Sequence, residues 1–183
     1  MPQYVAFLRG INLGRRRIKM DALRGHFEEM KFAQVSTFIA SGNVLFETKK
    51  AVETAALETR IAQHLERSLG YEVDTFVRTR ADVAAVAKFQ SFPAAELEAV
   101  GNTVYVAFLS LPLTPEQARG LVACRTEVDA FSVSGREFYW LCRIRSSESK
   151  VWSSPQLKAL KLPSVTIRAL SSVRKLVAQF PPT

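Results

Sequence analysis

Only two cysteines, Cys124 and Cys142, stand in 183 residues, and neither has a second cysteine close by. That excludes a disulfide framework and any Cys-x-x-Cys motif, and leaves two reduced thiols suited to burial. Histidine is as scarce. His26 flanks Phe27 on an amphipathic stretch, His64 lies in a charged one beside Glu66 and Arg67, and neither has a nucleophile or metal partner visible in the sequence. The acidic residues show no metal-site spacing and no phosphate-binding Gly-Lys-Ser/Thr loop occurs, so neither a metal nor a cofactor is expected. Long apolar runs are missing as well: none approaches the roughly 20 residues of a membrane helix. The first residues form no charged-then-apolar leader, and the expectation is a cytoplasmic chain without a membrane partner.

What is present is ordinary globular composition, 48% hydrophobic and 23% charged, which supports a core without staples. The formal net charge of +8 is unevenly placed. Residues 9–24 carry Arg9, Arg15, Arg16, Arg17, Lys19 and Arg24 against Asp21, a net +5, and residues 143–175 reach a net +7. The remainder is acidic. Concentrated positive charge raises the local potential for nucleic acid or another polyanion, although net charge alone does not choose among them.

Tyr4-Val5-Ala6-Phe7-Leu8 returns unchanged as Tyr105-Val106-Ala107-Phe108-Leu109, 101 positions later. A repeat at that distance is one supersecondary unit used twice. In the first copy a strand at 3–9 precedes Met20, Leu23, Phe27 and Met30 at helical spacing; strands at 35–40 and 43–48 then flank Ser41-Gly42-Asn43. Leu57, Ile61, Leu65 and Leu69 mark a helix that stops at Gly70, before a strand at 72–78. The second copy repeats the order: a strand at 103–109, a helix opened by Thr114-Pro115-Glu116-Gln117, strands at 127–133 and 136–142, a helix from Ser154-Pro155, a strand at 164–168 and a terminal helix through Val173, Leu176 and Phe180.

The fold class is therefore α+β, two tandem ferredoxin-like βαββαβ units with a C-terminal helix. The expected division is 1–80, a linking helix and connection at 81–102, and 103–183. The strands Tyr4 to Leu8, Val104 to Leu109 and Phe138 to Cys142 run apolar on both faces, which predicts sheets covered on both sides and units packed into one compact body.

Ala6-Phe7-Leu8-Arg9-Gly10-Ile11-Asn12-Leu13-Gly14, the Lys19-Met20 helix start and Ser41-Gly42-Asn43-Val44-Leu45-Phe46 resemble the uncharacterised bacterial family called domain of unknown function 1697. Ser149-Lys150, Thr166-x-Arg168 and Val173-x-Lys175-Leu176 follow in the order the resemblance implies. The family usually has glycine where Arg15 stands and Arg-Asn-Trp in place of Arg168-Ala169-Leu170. The resemblance implies the duplicated ferredoxin-like fold and no established activity.

With the first strand beside the third, Arg9-Gly10-Ile11-Asn12 and Ser41-Gly42-Asn43 meet at one edge of the sheet, with Arg15 and Arg16 at the rim. The loop enters a helix N-terminus, where unpaired N–H groups and the dipole favour an anion. Arg9, Gly10, Asn12, Arg15, Arg16, Ser41, Gly42 and Asn43 are thus the candidate ligand-binding residues; the competing reading gives the glycines to backbone geometry and Asn12, Ser41 and Asn43 to turn hydrogen bonds. The leading functional expectation is a non-enzymatic binder of nucleic-acid backbone or a phosphorylated metabolite. The alternatives are a small enzyme acting on a phosphate- or carboxylate-bearing substrate in the same cleft, and a protein-interaction scaffold. An RNA-recognition module shares the element order but needs stacking aromatics on its third strand, where only Phe46 stands. Ser41 and Ser149 act as nucleophiles only if a base reaches them.

Overall fold

The computed structural model describes residues 1–39 and 42–181. The chain divides into two units: Met1–Val86 with the C-terminal residues from Leu176 on, and Ala87–Lys175. The first unit runs β1 (Gln3–Arg9), α1 (Met20–Glu29), β2 (Ala33–Phe38), β3 (Asn43–Glu47), α2 (Thr54–Leu69) and β4 (Asp74–Thr79). After α3 (Arg80–Lys88) and α4 (Ala94–Glu98) come β5 (Thr103–Leu109), α5 (Pro115–Ala123), β6 (Asp129–Ser134), β7 (Glu137–Cys142), a 3₁₀ turn at Val151–Ser153, α6 (Pro155–Ala159), β8 (Val165–Ala169) and α7 (Leu170–Gln179). Among the described residues the strands form two antiparallel four-stranded sheets, ordered β2-β3-β1-β4 and β6-β7-β5-β8. The βαββαβ order therefore occurs twice.

Local chemistry explains most boundaries. α2 buries Leu57, Ile61 and Leu65 at four-residue spacing and ends where Gly70 takes φ +77° and donates its N–H to the Glu66 carbonyl at 2.9 Å. α5 opens on a capping box: the Thr114 hydroxyl accepts from Gln117 N while the Gln117 side chain accepts from Thr114 N. α6 starts on a single cap, the Ser154 hydroxyl accepting from Leu157 N at 3.3 Å, with Pro155 at the first helical position. Where the edges differ from the sequence reading, the backbone gives the reason. α1 stops at Glu29, one residue short of the Met30 that completes the helical spacing, because Lys31 turns to φ +63°. β2 starts at Ala33, two residues early, and absorbs an irregularity before Ser36 in which Gln34 has φ +48°. The short α4 lies in the connection at 90–102 that carried no helical period, and Ala40 of the predicted second strand falls outside the described residues.

In the first unit Tyr4, Ala6 and Leu8 face a core built with Leu23, Phe27, Leu57, Ile61 and Leu65 of the two helices. The alternate residues Val5, Phe7, Leu45 and Phe76 are buried too, so both faces of this sheet are covered. Each such side chain contributes about 1.5–3 kcal/mol on burial. The second unit repeats the register. Tyr4 stacks on its cross-strand partner Phe46 at 5.6 Å, and Tyr105 on its partner Trp140 at 4.9 Å. Val5 is opposite Arg78, and Val106 is opposite Arg168. In both arginines Nη1 donates to the preceding residue's carbonyl at 2.9 Å, and desolvation lowers the pKa of Arg168 to about 10.

β4 is an edge strand, so alternate N–H groups lack a strand partner. Glu58 of α2 supplies one acceptor, taking Val77 N at 2.8 Å while its carboxylate lies 3.5 Å from the buried Arg78 guanidinium. Glu58→Ala leaves a buried cation without this carboxylate and is expected to cost about 3 kcal/mol. Glu58→Gln keeps the acceptor for Val77 and costs less. Urea denaturation of the two variants checks the order; equal stability of Glu58→Ala and the parent would show that the pair carries no weight.

Candidate functional site

Gly10, at φ +72°, turns the chain out of β1, and Ile11 drops back into the core at 3% exposure. Three contacts then tie the loop down. Tyr71 Oη donates to the Ile11 carbonyl at 3.2 Å, the Asn12 side-chain oxygen accepts Ile18 N at 2.7 Å, and Arg16 N donates to the Leu13 carbonyl at 2.9 Å. Arg17 adds hydrogen bonds to the Asn12 and Arg16 carbonyls. The Arg16 guanidinium lies 4.4 Å from the Tyr71 ring centroid, a cation–π contact worth about 0.5–1 kcal/mol at an exposed site.

The turn between β2 and β3 meets this loop. Leu8 N donates to the Gly42 carbonyl at 2.8 Å, and a Cβ on Gly42 would stand 2.8 Å from Ile11 Cγ2 and 3.2 Å from Leu8 Cβ. Asn43 is buried and its Nδ2 donates to the Phe38 carbonyl at 3.2 Å. Arg9 stands opposite Asp74 on β4 and pairs with it at 3.4 Å, both side chains being half exposed. Ser41 lies outside the described residues.

The seven candidates among the described residues thus divide by role. Gly10 and Gly42 serve backbone geometry, Asn12 and Asn43 serve backbone groups, Arg9 has a carboxylate and Arg16 a ring. Arg15 is exposed, as is Lys19 at the start of α1, and among the described residues neither side chain makes a hydrogen bond or ion pair. The first turn of α1 already holds a carboxylate, Asp21, which lies 3.5 Å from Arg24. Polar groups in the loop interior are occupied by the fold itself, and positive charge is presented on its outside. Two partners escaped the sequence reading, Tyr71 and Asp74. Both sit beside the end of β1 because β4 is its neighbour in the sheet.

The nucleophile and stacking expectations meet specific contacts. A carboxylate does reach Ser149, whose hydroxyl donates to Asp129 Oδ1 at 2.8 Å, but the same buried Asp129 also accepts Trp140 Nε1 and the Thr126 hydroxyl at 2.8 Å each. That network fastens the segment after β7 to β6. Burial pushes the Cys124 and Cys142 thiols up in pKa, away from the nucleophilic thiolate. Phe46 is 1% exposed in the helix-side core and offers no face to a base. His26 and His64, read as separate flank residues, approach one carboxylate, Glu29.

This duplicated α+β architecture defines the class of protein, and comparison with known families narrows it. The family described as Protein of unknown function (DUF1697) matches residues 1–139, and the chain belongs to it. A conserved bacterial protein, SP0830 from Streptococcus pneumoniae, has a similar structure with a TM-score of 0.70 over 97% of this chain and 99% of that one. At 18% identity that likeness concerns the fold alone. No curated protein matches the chain. No helix among the described residues is long and apolar enough to cross a membrane.

Gly42→Ala would combine a left-handed backbone with a clash against Ile11 and Leu8, whereas Gly14→Ala, at φ +58°, meets open space. The first is expected to cost about 2–3 kcal/mol and the second about 1 kcal/mol. Denaturant unfolding decides it: if the two substitutions cost the same, the close approach of turn and loop is not the constraint described.

Proposed function

We propose that this chain binds a polyanion, with nucleic-acid backbone the favoured ligand, through the loop from Arg9 to Lys19. One observation carries the reading. The fold makes the same connection twice, and the second copy reaches α5 from β5 through residues 110–114, which bear no charge, while the first carries Arg9, Arg15, Arg16, Arg17 and Lys19. The architecture therefore does not require those cations. A loop tied down by Asn12, Tyr71 and the Gly42 contact presents them at little further cost in ordering, which favours binding. An extended ligand suits an exposed rim, and two open cavities among the described residues of the first unit are lined by other residues, among them Gln3, Tyr4, Thr79 and Arg80. Contacts of this kind go to phosphates and carry little sequence preference.

Four such cations engaged at once imply a log–log slope of affinity against salt of about −3. In fluorescence anisotropy with a labelled single strand, Arg15→Ala/Lys19→Ala is expected to reduce that slope by about 1.4. Arg24→Ala is expected to leave it nearly unchanged, because Arg24 is already placed between Asp21 and Glu28. No association at low salt, or a double variant that binds as the parent does, would remove this reading; inorganic phosphate competing at low concentration would move it toward a small phosphorylated ligand.

A further inference from the structure

We propose that His26, Glu29 and His64 bind a single divalent transition-metal ion of the zinc class, joining α1 to α2. The chain has two histidines, and both converge here. His26 and Glu29 are three residues apart, which places them on one face of the last turn of α1, and His64 projects from α2. His26 Nδ1 lies 3.4 Å and His64 Nε2 3.2 Å from the same oxygen, Glu29 Oε2, with the rings 5.7 Å apart at 65°. All three donor atoms fall within 4.8 Å of one another.

The two shorter spacings are those of a metal site. Ligands held at about 2.0–2.1 Å from a tetrahedral ion are separated by about 3.3–3.4 Å along each edge. Only the distance between the two imidazole nitrogens, which lie within 4.8 Å of each other, has to close, and a small rotation of the rings achieves that. Two imidazoles and one carboxylate suit zinc, cobalt or nickel rather than calcium or magnesium, which take all-oxygen sets. Three protein donors also leave a coordination position open to water. The imidazoles are about four-fifths buried, at 20% and 21% exposure, and Glu29 stands in solvent at 61%, so burial limits the rings to small rotations while the approach stays open.

The scaffold beneath is fixed independently. Leu23 and Phe27 of α1 share one core with Leu57, Ile61 and Leu65 of α2. Arg60 of α2 donates to the Met30 carbonyl at the end of α1 and lies over the Phe32 ring at 4.9 Å. The carbonyl end of α1 adds a favourable field for a cation. Both histidines share one carboxylate oxygen, and an ion between them accounts for the convergence.

The test uses the full chain and the metal alone. Titration with Zn²⁺ against a chromophoric chelator should give one equivalent per chain, and Co²⁺ should give an absorption spectrum free of thiolate charge-transfer bands. His26→Gln and His64→Gln should each weaken binding by more than the roughly 10- to 100-fold that loss of an outer-shell partner brings. Glu29→Gln, which keeps a hydrogen-bonding group of the same shape, should also weaken it. The thermal midpoint of the parent should rise with Zn²⁺ concentration, and the rise should vanish in the variants. Absence of stoichiometric binding, affinity unchanged in His64→Gln, or cobalt bands that disappear on Cys124→Ser would overturn the proposal.

Discussion

Burial of β1 on both faces is the constraint from which the first unit follows. Tyr4 to Leu8 are all at 3% exposure or less, so this strand has to lie between β3 and β4 and be covered above and below. A strand so placed has no room for charge along its length. Polar and cationic residues are therefore confined to its ends, Gln3 at the entrance and Arg9 at the exit, where Gly10 turns the chain and Ile11 closes the core. The contact of Gly42 with Leu8 and Ile11 is the same constraint seen from the neighbouring hairpin: two backbone segments approach too closely for any Cβ at residue 42.

Duplication separates what the fold needs from what one copy adds. The stacked cross-strand pairs and the arginine opposite the central valine occur in both units, as does the hydrogen bond from the last leucine of the repeat, Leu8 to the Gly42 carbonyl and Leu109 to the Arg136 carbonyl. These are packing and ladder requirements. The basic loop after β1 and the histidine pair on α1 and α2 belong to the first copy alone, and residues that the architecture can do without are where binding is sought.

Strand and helix identity was legible wherever one interaction dominates. The repeated Tyr-Val-Ala-Phe-Leu placed β1 and β5 with the same boundaries as the structure, and Thr114 to Gln117 announced α5 because capping is local. The site was legible in part: adjacency of β1 and β3 brought the Arg9 to Asn12 segment to Gly42 as expected. Asn12 and Asn43 were assigned to the ligand or to the backbone with equal ease, because an amide bonds either way, and only their contacts with Ile18 N and the Phe38 carbonyl show the use. The meeting of His26 with His64 depends on which faces of α1 and α2 oppose each other. Helical spacing gives a face and no partner, so that pairing had no sequence signal beyond the His26 to Glu29 interval.

The central claim is that anion binding resides in the loop after β1 and not in the basic segment 143–175 of the second unit. Backbone amide mapping by two-dimensional nitrogen–proton spectroscopy, with an unlabelled oligonucleotide added at low salt, tests it residue by residue. The account predicts shifts that cluster on residues 9–19 and at Gly42 and Asn43 and that reverse when salt is raised. Shifts confined to residues 143–175, or none in the 9–19 loop at saturating ligand, would contradict it.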